Sequence, residues 1–76
     1  MKKKLDELFP GEKGIIVKIS GNPILRQRLL ELGIREGKEI IRKIDAPMGD
    51  PISVQTMGTN LSFRRHIAKH IFVEVE

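Results

Sequence analysis

The chain contains no cysteine, no tryptophan and no tyrosine, and only three phenylalanines among its 76 residues. Without cysteine there is no disulfide, no thiolate nucleophile and no thiolate metal site, and the redox compartment stays open. With aromatic side chains this scarce, a groove that stacks bases or grips a proline-rich peptide has little to be built from. No apolar run approaches the ~18 residues of a membrane-spanning helix, and no apolar signal segment follows the first lysines. The expectation is therefore a soluble, cytoplasmic protein. The charges are mixed in sign as well. The 14 basic and 10 acidic residues that give net +4 are interspersed over most of the length, which is the pattern of a solvated surface. The seven glycines include no GxxxxGK[ST] phosphate loop, and Ser20, Ser53 and Ser62 have no histidine–acid arrangement beside them. Nucleophilic catalysis has nothing to start from, and the chain is expected not to be an enzyme.

What is present begins with the stretch Asn22–Gly37. Asn22 is a strong helix N-cap, because its side-chain oxygen can accept an orphan amide hydrogen of the first turn. Pro23 suits the first helical position, where its missing donor costs nothing. Leu25, Leu29 and Leu32 recur on one face, flanked by Ile24 and Leu30, while Gln27, Arg28 and Glu31 point the other way. Gly33 provides the left-handed residue that ends such a helix, and Ile34 folds back against Leu29. Arg35-Glu36-Gly37 then turns the chain. Asn22, Pro23, Gly33 and Gly37 are the positions at which residue type alone dictates structure.

The remainder reads as strands. Met1–Lys4 is expected to be a disordered basic tail, followed by an apolar patch of Leu5, Leu8 and Phe9 and a turn at Pro10-Gly11. Lys13–Ile19 is β-branched and bounded by glycines, with Val17 and Ile19 facing a core. Lys38–Asp45 carries Ile40, Ile41 and Ile44 among charges. Ala46–Pro51 holds two prolines and a glycine in six residues, which forbids helix and central strand alike. Ile52, Val54 and Thr56 alternate with polar residues, as do Leu61 and Phe63 after a tight turn at Met57–Asn60. Arg65–His70 fits one helical turn, and Ile71–Val75 closes the series with Val73 and Val75 inward. About five short strands in so small a chain cannot bury much as a flat sheet. Residues 1–76 are therefore expected to form a single domain, mainly β with a short inserted helix, curled into a small SH3-like β-barrel.

Four segments then carry a family resemblance. RLLELGIREG at Arg28–Gly37, APMGDPISV at Ala46–Val54, LSFR at Leu61–Arg64 and the AxxIxV spacing at Ala68–Val73 occur in the order and spacing of the ferrous iron transport protein A (FeoA) family. The resemblance runs from about Leu8 to Val75. It implies an SH3-like cytoplasmic module, at times recruited to the inner face of the membrane. Such a module serves a ferrous-iron transporter that carries a cytosolic guanine-nucleotide-binding domain. The implied partner is that cytosolic domain, with no small-molecule substrate. A basic SH3-like barrel binding RNA or DNA is the alternative reading, and steep salt dependence would mark it.

Two groups of residues are candidates for function. Position in an SH3-like barrel gathers Met48, on a proline-stiffened loop, with Arg64, Arg65 and Lys69 into one partner-binding surface, and Phe72 is expected to stand outward beside this basic turn. His66 and His70 are four apart and share a helix face, so they could hold a divalent transition metal such as iron or zinc weakly. Asp45, Asp50 or Met48 could add ligands if the loop lies close. Two histidines fall short of the three or four ligands of a catalytic or structural zinc site, so no metal is expected to be required for folding.

Overall fold

Runs of β-branched residues separated by glycine-bearing turns fold into one antiparallel sheet of six strands. The computed structural model describes residues 1–44 and 47–75. In chain order the elements are β1 (Lys2–Lys4), a 3₁₀ turn (Leu5–Glu7), β2 (Lys13–Ile19), α1 (Pro23–Glu31), β3 (Glu39–Arg42), β4 (Ile52–Thr56), β5 (Thr59–Phe63), α2 (Arg65–Ala68) and β6 (Ile71–Val75). The spatial order is β1-β6-β2-β3-β4-β5, so the last strand lies between the first two. The architecture is mainly β with a short helix inserted after β2, as expected, but with six strands rather than five.

The extra strand comes from the residues expected to be a disordered tail. Lys2 pairs with Glu74 and Lys4 with Phe72. A sheet edge offers unpaired amides and carbonyls, and a short lysine-bearing strand is a common way to cover it. Leu5 and Leu8, both buried, pin the segment that follows. Phe9, expected beside them, instead stands exposed with the Lys3 ammonium 5.3 Å from its ring centre. Arg42 then does what no apolar residue could. Buried on β3, it donates from one guanidinium nitrogen to the carbonyls of Leu5 (3.3 Å) and Leu8 (2.6 Å), tying the 3₁₀ turn to the sheet. A buried charge is tolerable where such bonds meet it.

Strand phase departs from expectation in β2. Its register with β6 shifts between Ile16 and Lys18, a bulge that re-phases the side chains. Gly14 and Ile16 therefore face the core, whereas Val17 is exposed. Gly14 is required there, because a Cβ at that position would lie 2.2 Å from the Glu74 carbonyl oxygen across the sheet. β3 is shorter than the expected Lys38–Asp45, running only from Glu39 to Arg42; Ile40 is buried, Ile44 beyond the strand is exposed, and Asp45 itself lies outside the described residues. β4 and β5 close a hairpin in which Thr56 pairs with Thr59. The turn is thus narrower than Met57–Asn60. It consists of Met57 and Gly58, both at positive φ, the backbone that matches the twist of paired strands.

α1 starts and stops as its residues dictate. The Asn22 side chain accepts from the Leu25 amide at 2.8 Å, and Pro23 takes the first position. At the other end, the Ile34 amide donates to the Leu29 carbonyl (2.9 Å) and Gly33 to that of Leu30 (3.0 Å), with Gly33 at φ +101°. This is the Schellman pairing. The tight end turns Leu32 outward and drives Ile34 into the core, so the buried face is Leu25, Leu29 and Ile34 rather than Leu25, Leu29 and Leu32. Those side chains join Ile16, Ile40, Ile52, Val54, Phe63, Ile71 and Val73 in one cluster.

Candidate partner-docking surface

The loop before β4 is held in place from α2. Arg65 donates from Nε to the Gly49 carbonyl (2.8 Å) and from a terminal guanidinium nitrogen to the Asp6 carbonyl (3.3 Å). Its own amide donates to the Asp50 carboxylate at 3.1 Å. Asp50 thereby caps a helical turn whose own N-cap residue, Arg64, makes no side-chain cap. The Arg64 guanidinium also lies 4.0 Å from Asp50. Three parts of the chain distant in sequence, the 3₁₀ turn, the loop and α2, meet on the Arg65 side chain.

That arrangement separates the expected surface residues by task. Met48, next to the clamped Gly49, is 90% exposed, a soft apolar side chain presented on a fixed backbone. Arg64 is exposed beside Asp50, an ion pair too solvated to hold the guanidinium strongly. Arg65 is engaged in holding the loop. Lys69 is exposed at the far end of α2, where it caps the helix. The structure brings Gly49 and Asp50 of the loop against Arg65 and Arg64, with Met48 next to Gly49 in the chain and Lys69 one helical turn further on. Phe72 does not stand bare beside this cluster. It is half-buried on the outer face of β6, with the ammonium groups of Lys2 and Lys18 at 6.0 and 5.8 Å from its ring centre.

His66 and His70 line a shallow groove between α1 and α2 together with Asn22, Ile24, Leu25, Arg28 and Ile67. His66 is exposed, while the Nδ1 of His70 lies 3.0 Å from the Ser20 hydroxyl, which joins the end of β2 to the start of β6. Among the described residues, no group of three or more histidine, aspartate or glutamate side chains is placed to hold a metal ion. Asp45, one of the possible additional ligands, lies outside the described residues. Sequence reading missed a further feature. Ile24 and Leu30 on α1 and Leu32 at its C-cap stand exposed, because the helix buries only the narrow Leu25–Leu29 stripe.

The FeoA domain family model matches residues 3–75. The chain belongs to the FeoA family. A relative from Porphyromonas gingivalis (strain ATCC BAA-308 / W83), an Fe(2+) transport protein A/Fe(2+) transporter FeoB fusion protein, is 39% identical over 72 residues, or 95% of this chain. Those residues span only 8% of that relative's length. Among solved structures, an iron uptake regulatory protein (FeoA) superposes with TM-score 0.91 at 32% identity, covering the whole of both chains. Stenotrophomonas maltophilia FeoA, complexed with zinc and described as a prokaryotic SH3 domain protein, matches at TM-score 0.77 and 28% identity over 100% of this chain and 89% of that one. The FeoA domain described here thus has the SH3-like fold of its family, and the family is associated with ferrous iron transport. No described helix is long and apolar enough to cross a membrane.

Proposed function

We propose that this FeoA domain is a non-enzymatic accessory module of a ferrous-iron transport system, working by docking on the cytosolic, guanine-nucleotide-binding part of the transporter. The observation that supports this most strongly is the relative in which Fe(2+) transport protein A and the Fe(2+) transporter FeoB form one chain, since fusion places the two parts permanently in contact range. The docking surface in this reading is centred on Met48 and Arg64. Arg65 is a positioning residue that fixes the loop, and Lys69 adds charge at the rim. A loop already clamped in place loses little freedom on binding, and a guanidinium can pair with a carboxylate through two parallel bonds. The module needs no resident metal. His66 and His70 offer at most a weak site for a divalent transition metal such as iron or zinc.

Cells lacking their own copy of the domain provide the test. Ferrous-iron uptake should be restored by the parent chain and not by Met48→Asp combined with Arg64→Glu, a pair that leaves the Arg65 clamp intact. Uptake restored to the parent level by this variant would move docking elsewhere, first to the exposed α1 flank of Ile24 and Leu32.

A further inference from the structure

The outer face of the sheet at β1, β6 and β2 carries a feature that transporter docking leaves unused. Phe72 on β6 is flanked in register by Lys4 on β1 and Lys18 on β2, so the three side chains share the face opposite the buried Ile71 and Val73. Lys2 leans over the same ring from two residues along β1. The acid on this face among the described residues of β6 is Glu74, in register between Lys2 and Ile15. Three lysines therefore neighbour one half-buried aromatic ring, with Glu74 at the border and Glu39 of β3, in register with Ile15, beyond it.

We propose that this face binds an anionic phospholipid surface, resting the domain against the membrane in which its transporter sits; this step builds on the transport reading above. The chemistry favours lipid headgroups over other anions. Lysines are mobile point charges that follow a diffuse field, and among the described residues of β1, β2 and β6 there is no arginine whose planar fork would fix a single anion in a bidentate geometry. The Phe72 ring is occupied by two ammonium groups, so it is not an open platform for a nucleic-acid base. Three lysines also fall short of the six to ten phosphate contacts, roughly, of a duplex-binding surface. Near an anionic leaflet each lysine strengthens binding about fivefold, and three about a hundredfold, enough to bias orientation without making an anchor.

Co-sedimentation of the purified chain with vesicles tests this directly, comparing neutral phosphatidylcholine alone with the same lipid containing phosphatidylglycerol. Binding should require the anionic lipid and weaken in high salt. It should drop about a hundredfold in Lys2→Gln/Lys4→Gln/Lys18→Gln, and about twenty-five-fold in a Lys2→Gln/Lys18→Gln pair that leaves β1 unaltered at Lys4. Arg35→Gln removes a charge elsewhere and should cost little. Equal binding to neutral vesicles, or an equal loss with Arg35→Gln, would overturn the proposal. So would retention of a polynucleotide, but not vesicles, by the same lysines. Because the vesicles contain no transporter, a negative result here leaves the docking reading standing, and loss of docking leaves this one standing.

Discussion

Gly33 sits at φ +101° with no heavy atom within 4 Å of where a Cβ would be, so an alanine there meets backbone strain and nothing else. Gly33→Ala should destabilise the domain by about 1 kcal/mol or more, the cost of forcing an L-residue into the left-handed region. Urea melts give the answer, and a variant as stable as the parent would mean that the helix ends differently. The same residue shows what could be read from sequence. Asn22, Pro23 and Gly33 each have one physical use in their context, and each performs it. Arg42 is the opposite case. On β3 its sequence neighbours suggest a solvated charge, yet it is buried, because its acceptors are carbonyls of Leu5 and Leu8, more than thirty residues away. No local pattern encodes that pairing.

Elements follow a similar division. β2, α1 and β6 are legible because β-branched runs, caps and flanking glycines bound them locally. Phase and edges are not, since both are set by a partner strand. The bulge at Val17 exists only in pairing with β6, and β1 exists only because β6 offers an edge. The candidate surface divides likewise. The expected grouping of Met48 with Arg64 and Arg65 rests on position in the chain, whereas the acceptors that turn Arg65 into a clamp, at Gly49 and Asp6, come from two other segments. Arg65→Ala should therefore loosen the loop at 47–51 before it unfolds the barrel. Hydrogen exchange should speed up at the amides that open α2, beginning with that of Arg65 on Asp50, with a stability loss of about 1–3 kcal/mol from bonds to a charged group. Unchanged exchange at those amides would show that the prolines alone hold the loop.

The whole molecule is built on one largely aliphatic core inside a curved sheet, and we propose that this core suffices to hold it folded. Melting temperature in the presence of chelator should equal that of the untreated protein, and added zinc or ferrous iron should raise it only slightly through His66 and His70. A large loss of structure in chelator would make the metal structural. The partner proposed for this barrel is the cytosolic part of a ferrous-iron transporter. Calorimetric titration of that part with the purified domain tests it most directly. Saturable binding by the parent chain is expected, little changed by Lys38→Gln and lost in Met48→Asp/Arg64→Glu, whose melting curve should stay near the parent's. No binding by the parent chain, or equal binding by the folded double variant, would contradict it.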